Sequence, residues 1–375
     1  MLTLIYKVAV IQNHNKYLHR FLVLFLFNIS FNGYFSQSDS VKKLNVTGYV
    51  EAYYCYDIAN PSNNTRPSFI YSHNKHNEFA LNLGFIKMNY QLEKFRANGS
   101  LMTGSYAQAN LSGEPGMLKM IFEANIGFKL SKQKNVWLDL GVFPSHIGFE
   151  SAIGKDCWTL TRSILADNSP YYESGLKITG VSEDEKWMLS ILALNGWQRI
   201  YLSEHYTKPS FGHQLTFKPT SNILLNSSSF VGFAGPDSLN QLRYFHNFFG
   251  QFQLHEKLNL TVGFDIGSQQ NTTERPIYYT WYTPVAIIKY SPLSKLNIAG
   301  RIEWYDDRHQ QVITTNSANG FQTYGYSLNV DYSLNEHVIF RIEGRGLKSK
   351  DDVFIMNQRP SKENYFLTAA MALSF

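Results

Sequence analysis

The sequence predicts an all-β chain that forms a transmembrane, antiparallel, up-and-down β-barrel of about 16 strands. Three observations support this prediction. Apolar residues recur at every second position almost throughout the chain, short connections alternate with long ones, and charged residues are scarce. The charged fraction of the 375 residues is 17%, whereas about 25% is usual in soluble domains.

Composition excludes several other classes of protein. Aromatic residues make up 15% of the chain, which is far more apolar surface than a disordered chain carries. Beyond residue 40 the sequence has no apolar run of the length that a membrane-spanning helix needs. The net charge is +5, and without residues 1–36 only 31 basic side chains oppose 29 acidic ones. This balance argues against a nucleic-acid partner.

The chain begins with a segment typical of a secretory signal peptide, residues 1–36. Basic residues up to Arg20 precede a nearly uninterrupted apolar stretch, and polar residues follow it. The stretch has about 15 residues, which suits a signal sequence and is short for a spanning helix. We expect cleavage between Tyr34 and Ser38, so that residues 37–375 form the barrel.

The strands follow from the two-residue period of hydrophobicity. In segment 119–130, alternate apolar residues, Phe122 and Ala124 among them, share one face, whereas Glu123 and Asn125 share the other. The same pattern predicts strands at 46–56, 79–90, 95–104, 119–130, 136–143, 172–181, 187–196, 211–218, 223–233, 243–254, 258–267, 279–290, 296–305, 321–332, 338–346 and 366–375.

The connections between these strands alternate strictly between short and long. The short ones include 131–135, 291–295 and 333–337, and the long ones include 57–78, 144–171, 306–320 and 347–365. In an antiparallel meander, every second connection lies at the same rim. Barrels of the bacterial outer membrane have short periplasmic turns and long outer loops. An even number of strands then places both termini on the periplasmic side.

The positions of the aromatic residues and the pattern of the last strand also indicate a barrel in the outer membrane. Aromatic residues lie near predicted strand ends, as in the girdles at membrane interfaces: Tyr90, Tyr244, Tyr290, Trp304 and Tyr332. The last strand alternates apolar residues and ends at Phe375, a pattern similar to the signal that the barrel-insertion machinery reads. The alternative is a soluble β-sandwich, whose strands also alternate but whose outer faces carry charge at ordinary density.

Several short stretches also resemble a known family. They are residues 48–54 (GYVEAYY), 139–143 (DLGVF), 147–150 (IGFE), 158–163, 170–172 with Gly175, and 195–197 (NGW). These stretches resemble the putative β-barrel porin-2 family of bacterial outer-membrane proteins, and the resemblance covers most of residues 44–375. It implies a Gram-negative outer-membrane porin that is not an enzyme.

The longest connection, 144–171, is the candidate constriction. In general porins the third outer loop folds into the lumen, and the resemblance implies the same here. The candidate residues are Glu150, Lys155, Asp156, Arg162 and Asp167 on the loop, facing Arg301, Glu303, Arg341, Glu343 and Arg345 on the wall. Opposed charges of this kind set ion selectivity. Solvated loop charges and wall ion pairs without a filter role are the alternative.

The sequence contains no strong pattern for a disulfide scaffold, a zinc site or a catalytic site. Cys55 and Cys157 are too few for a disulfide scaffold and lack zinc-site spacing. A bond between loop and wall and two unpaired thiols both stay open. Ser145 and His146 are adjacent, but neighbours in a chain usually point apart, and no nucleophile elbow surrounds them. We therefore assign no catalytic, metal or cofactor residues.

The predicted function is a water-filled outer-membrane channel for passive diffusion of small hydrophilic solutes, because sixteen strands enclose an aqueous lumen. The expected partners are outer-membrane lipids, the insertion machinery through Phe375, and small polar solutes. A homo-trimer is left open. The rival functions are a surface adhesin or receptor with a plugged lumen and an outer-membrane hydrolase.

Overall fold

The computed structural model describes residues 43–271 and 276–375. The predicted signal segment, 1–36, and its cleavage site lie outside the described residues. Within the described part, 16 strands form a closed antiparallel barrel in which β1 pairs with the last strand, β18. The predicted fold class is confirmed.

The barrel strands are β1 (Lys43–Asp57), β2 (Phe79–Gln91), β3 (Phe95–Thr103), β4 (Ile121–Lys129), β5 (Asn135–Pro144), β6 (Tyr172–Val181), β7 (Trp187–Leu194), β8 (Ser210–Thr220), β9 (Ile223–Phe233), β10 (Leu242–His255), β11 (Leu258–Gln270), β12 (Tyr278–Leu293), β13 (Leu296–Asp307), β14 (Phe321–Ser333), β15 (Val338–Ser349) and β18 (Glu363–Ser374). Each coincides with one predicted strand to within a few residues.

Two further strands, β16 (Phe354–Met356) and β17 (Arg359–Ser361), form a hairpin within the last long loop. Sequence periodicity missed this hairpin because three residues are too few to show an alternation. The two residues between its strands, Asn357 and Gln358, have φ values of 50° and 63°. Positive φ at both central positions is what a tight type I′ turn requires.

The fourth strand begins two residues later than predicted. Residues Gly116–Met120 form a 3-10 helix, and β4 begins only at Ile121. A register shift opposite Ser100 then turns Phe122 inward, although its sequence position placed it with outward Ala124. The Phe122 ring stacks on Phe85 inside the barrel, with centroids 4.8 Å apart. Sequence alternation cannot reveal a bulge, because an extra residue reverses the facing of its neighbours.

The outer wall is apolar and the inner wall is polar. Ile302 is 67% exposed, whereas its neighbours Arg301 and Glu303 are buried inside the barrel. The predicted girdle residues lie at both rims: Tyr90, Tyr290 and Tyr332 near the short turns, Tyr244 and Trp304 near the long loops. In a bilayer, such closure leaves no strand edge with unpaired backbone groups.

No helix among residues 43–271 and 276–375 is both long enough and apolar enough to cross a membrane.

Phe375 takes part in barrel closure. Its backbone N–H donates to the Gly48 carbonyl at 3.1 Å, and the Gly48 N–H donates to the Phe375 carbonyl at 2.9 Å. Lys43 at the start of β1 pairs with Gln91, which lies beside the short turn after β2. Both ends of the described barrel therefore lie at the short-turn rim.

The two faces of the wall predict different effects of an added charge on stability. Ile302→Lys places an ammonium group at mid-height on the lipid face and should lower the free energy of unfolding by about 2–4 kcal/mol. Gln251→Lys, a half-buried inward position, should change it by no more than about 0.5 kcal/mol. Urea unfolding in lipid vesicles measures both, and equal losses would contradict the assignment of faces.

Candidate pore constriction

The third long connection folds into the barrel. This segment, residues 145–171, is called loop 3 and joins β5 to β6. It contains the 3-10 turn Gly154–Asp156 and the one-turn helix Ile164–Asp167. Ser163 caps that helix, because its hydroxyl accepts a hydrogen bond from the Ala166 N–H at 3.1 Å. Loop 3 lies against the inner wall formed by β13, β14 and β15.

Arg301 on β13 holds the middle of loop 3. Its Nη1 donates to the Thr161 carbonyl at 2.7 Å and to the Thr159 hydroxyl at 3.0 Å. Its Nη2 donates to Glu343 Oε1 at 3.0 Å, and its Nε lies 3.4 Å from Glu303 Oε1. Arg301 is 1% exposed, so these contacts are dry.

Arg345 on β15 extends the same contact. Its Nη1 donates to the Arg162 carbonyl at 2.7 Å, and its Nη2 donates to Glu303 Oε1 at 2.5 Å. The other oxygen of Glu303 accepts the Ile164 N–H at 2.6 Å. One carboxylate therefore links a wall cation to the start of the loop helix.

Arg341 on β15 binds the lower part of loop 3. Its Nε and Nη2 donate to the two Asp331 oxygens at 2.7 and 2.9 Å. Its Nη1 donates to the Gly154 carbonyl at 2.6 Å, and Nη2 also reaches the Cys157 carbonyl at 2.9 Å. The bidentate pair fixes the guanidinium plane, which then presents its remaining donors to the loop.

Wall acceptors complete the pairing of the loop backbone. The Thr161 N–H donates to Glu343 Oε2 at 2.5 Å, and the Leu160 N–H donates to Asn329 Oδ1 at 3.1 Å. Together, these wall side chains and the loop backbone that they bind form the anchor network: Arg301, Glu303, Asn329, Arg341, Glu343, Arg345 and residues 154–164. It satisfies backbone groups that have no strand partner.

Charged residues of loop 3 also brace the loop from within. Buried Arg162 donates Nε to the Ser151 carbonyl at 2.6 Å and Nη1 to the Leu160 carbonyl at 2.7 Å. Glu150 accepts hydrogen bonds from the hydroxyl and, at 3.2 Å, the N–H of Ser163. Burial raises the pKa of Glu150, against the lowering effect of the Arg301 guanidinium.

Asp167 is the loop carboxyl most affected by burial. It is 3% exposed, and its Oδ1 accepts no hydrogen bond from a described residue. Burial raises the pKa of Asp167 to about 7, although the Arg345 and Arg162 guanidinium groups lower it. Near neutral pH this carboxyl is therefore close to half protonated.

Loop 3 reaches almost the full height of the barrel. The exposed Lys155 side chain donates Nζ to the Glu336 carbonyl at 2.9 Å and to the Ser374 hydroxyl at 2.5 Å. Both acceptors lie at the short-turn rim, far from the long-loop rim at which loop 3 begins. Asp156, next to Lys155, is also exposed.

The structure brings the predicted loop and wall residues together but buries most of them. Lys155 and Asp156 face water, and the others are buried: Glu150, Arg162, Asp167, Arg301, Glu303, Arg341, Glu343 and Arg345. Their charges meet in a dry contact between loop and wall instead of facing each other across an open lumen. A role for these residues in ion selectivity stays a prediction.

Other loops fill much of the lumen near the long-loop rim. Apolar residues from four loops and the wall form one buried cluster, including Phe69 and Ile70 from the first long loop, Ile164 from loop 3, Ile313 from the loop after β13, and Phe354 from the last loop. The interior at this rim is therefore packed, which sequence periodicity could not reveal.

Three cavities lie around loop 3. One of about 270 Å³ separates it from the β2–β6 side and is lined by Lys87, Phe149 and Tyr172 among others. Tyr172 also lines a cavity of about 520 Å³ at the outer mouth. A third, of about 460 Å³, lies near the short turns beside Trp158 and Lys289. The third cavity lies on the anchored side of loop 3, because residues of β12–β15 line it.

The two cysteines are separate buried thiols. The Thr368 hydroxyl donates to Cys55 Sγ at 3.3 Å, and Cys157 Sγ donates to the Ser151 carbonyl at 3.3 Å. Of the two alternatives left open by the sequence, the structure has unpaired thiols. Burial raises the pKa of Cys157 to about 11, so it stays a neutral thiol.

Ser145 and His146 do not form a catalytic pair. His146 Nδ1 lies 2.7 Å from Glu173 Oε2, and Nε2 lies 2.8 Å from the Ser229 carbonyl. Both ring nitrogens are thus occupied by acceptors. Burial lowers the pKa of His146, but Glu173 and the Ser229 carbonyl outweigh burial and raise it overall. Across the described residues, no group of three or more His, Cys, Asp or Glu side chains could hold a metal ion.

The sequence matches the family described as "Putative beta-barrel porin-2, OmpL-like" over residues 43–375. The chain belongs to this porin family. No curated protein sequence matches it. As a member of this family, it is an outer-membrane channel for solute diffusion, as the sequence predicted.

Solved porin structures have the same fold. The anion-selective porin from Comamonas acidovorans is 7% identical, with a TM-score of 0.59 over 89% of this chain and 100% of that one. The outer-membrane channel DcaP of Acinetobacter baumannii is 10% identical, with a TM-score of 0.60 over 90% and 99%. A trimer form of OmpT from Vibrio cholerae is 8% identical, with a TM-score of 0.55 over 89% and 99%. At these identities the likeness shows the fold alone.

The raised pKa of Asp167 predicts that the stability of the folded porin depends on pH. The pKa of Asp167 is raised to about 7 in the folded porin, from about 3.9 in an unfolded chain. Its contribution to stability is therefore fully present below about pH 4 and is lost as the pH rises through about 7. Between about pH 5 and pH 8, the wild type should lose on the order of 1–3 kcal/mol more stability than Asp167→Asn, which cannot ionise.

Urea unfolding in vesicles at the two pH values measures this difference. Other titrating groups affect both proteins equally, so the comparison isolates Asp167. An identical pH dependence in the two proteins would contradict the burial of an ionisable Asp167.

Proposed function

We propose that solutes cross this porin between the free side of loop 3 and the wall of β2–β6. The observation that carries the proposal is the anchoring of the middle of loop 3, residues 154–164, to the wall of β13–β15. The anchor network binds it to β13–β15, whereas a cavity of about 270 Å³ lies on its other side. Through Tyr172 that cavity adjoins the one at the outer mouth.

The dimensions favour small solutes. A barrel of sixteen strands encloses an aqueous channel, but loop 3 occupies much of it. A cavity of about 270 Å³ is smaller than the roughly 300–1,000 Å³ typical of pockets for drug-sized ligands. We therefore propose that only small hydrophilic solutes pass, by passive diffusion and without chemical change. The proposal includes a signal peptide over residues 1–36, a barrel over 37–375 and insertion through Phe375.

A barrel with a plugged lumen is the second candidate. The observation in its favour is the apolar cluster near the long-loop rim, to which Phe69, Ile313 and Phe354 contribute from different loops. A receptor or adhesin would use such a rigid outer surface and would need no passage. Hydrolase activity has no comparable support, since His146 is held by Glu173 and a carbonyl.

Single-channel recording separates the channel from the plugged barrel. Purified protein in a planar bilayer should show steady openings, and deletion of residues 151–163 should increase their conductance several-fold by removing the obstruction. Openings in the deletion variant alone would favour the plugged barrel. Silence in both proteins, with folding checked by heat-modifiable gel mobility, would contradict the proposed channel.

A companion measurement tests the buried arginines. If Arg301, Arg341 and Arg345 act as a filter, their joint neutralisation to methionine shifts selectivity towards cations. If they only anchor loop 3, openings become larger and noisier while the reversal potential stays unchanged. The second outcome would remove these residues from the filter.

A further inference from the structure

The charged side chains inside the barrel near the short turns that are not fully buried are mostly positive. Lys177 on β6 and Lys289 on β12 point inward, and neither lies within 4.0 Å of a carboxylate of a described residue. Lys177 Nζ lies 4.4 Å from the centroid of the Phe143 ring, and Lys289 Nζ lies 4.7 Å from that of Trp158. Rings stabilise these cations without neutralising them.

In two nearby ion pairs, the basic side chain is partly exposed and the acidic side chain is buried. In the Lys87–Glu123 pair, the lysine side chain is 24% exposed and the glutamate 7%. In the Arg96–Asp139 pair, which is bidentate at 2.7 and 2.5 Å, the values are 29% and 4%. A solute in the lumen therefore meets the positive end of each pair.

Loop 3 adds a further exposed cation, Lys155, with one exposed acid, Asp156, beside it. Together these side chains form the inner cation cluster: Lys87, Arg96 and Lys177 on the β2–β6 wall, and Lys155 and Lys289 at the cavity of about 460 Å³ near the short turns. By contrast, the positive charges of the anchor network are buried against their own carboxylates. The cluster and the network thus have different electrostatic roles.

We infer that the inner cation cluster makes this porin selective for small anions, such as chloride, inorganic phosphate and short carboxylates. This inference rests on the proposed channel. A passage lined by charge of one sign, with low-dielectric walls, concentrates ions of the opposite sign. Rings of lysine and arginine select anions in this way.

The test compares Lys177→Gln/Lys289→Gln with the matched control Lys132→Gln/Lys257→Gln, whose lysines are exposed on short turns. Reversal potentials are measured in a tenfold KCl gradient. The wild type should prefer chloride over potassium, and the lumen variant should lose at least half of its reversal potential. The control and Lys177→Arg/Lys289→Arg should match the wild type. Selectivity should weaken near 1 M salt, at which charges are screened within about 3 Å.

The possible failures are distinguishable. Openings that prefer potassium, or a reversal potential that the lumen variant leaves unchanged, would overturn the anion selectivity and leave the channel standing. If neither the wild type nor the variant lacking 151–163 opens, the proposed channel itself fails and the selectivity fails with it. Heat-modifiable mobility shows that each variant is folded.

Discussion

Loop 3 can lie inside the barrel because wall side chains take over the hydrogen bonds of its backbone. A loop without strand partners leaves N–H and C=O groups unpaired, and each such group costs roughly 1–3 kcal/mol when it is buried. Arg301, Arg341 and Arg345 donate to the carbonyls, and Asn329 and two glutamates accept from the amides. The wall side chains thus serve as hydrogen-bond partners of the loop backbone, as a neighbouring strand would.

The same constraint explains why so many charges are buried on one side of the lumen. A guanidinium presents several donors in a fixed plane, so one arginine can bind both a carboxylate and a loop carbonyl. Removing one partner of such a buried pair costs about 3–5 kcal/mol, which keeps loop 3 in one position. With loop 3 fixed there, a cavity of about 270 Å³ remains on its other side, where Lys87 lies.

The sequence could predict the barrel because each strand repeats one simple rule, apolar outward and polar inward. It failed where a local irregularity or a loop decided the structure. Phe122 turned inward at a bulge, and the β16–β17 hairpin was too short to show a period. Arg301 and Arg345 were correctly placed on the inner wall, since their parity is a property of the strand.

Their burial could not be predicted, because it depends on the path of loop 3. Thr159 and Thr161 carry no sequence signal for their contacts with Arg301. Asn329 and Asp331 did carry one, since they share the inward face of β14, but nothing in the sequence distinguished them from other polar wall residues. Which charges hold loop 3 and which ones face solutes could therefore be seen only in the folded structure.

Hydrogen exchange of the loop 3 amides tests this account most directly. The N–H groups of Leu160, Thr161 and Ile164 donate to Asn329, Glu343 and Glu303 of the wall. They should exchange as slowly as the amides of the barrel strands. Exchange within seconds, as in a solvated loop, would show that the wall does not hold loop 3, and the proposed passage on its free side would lose its basis.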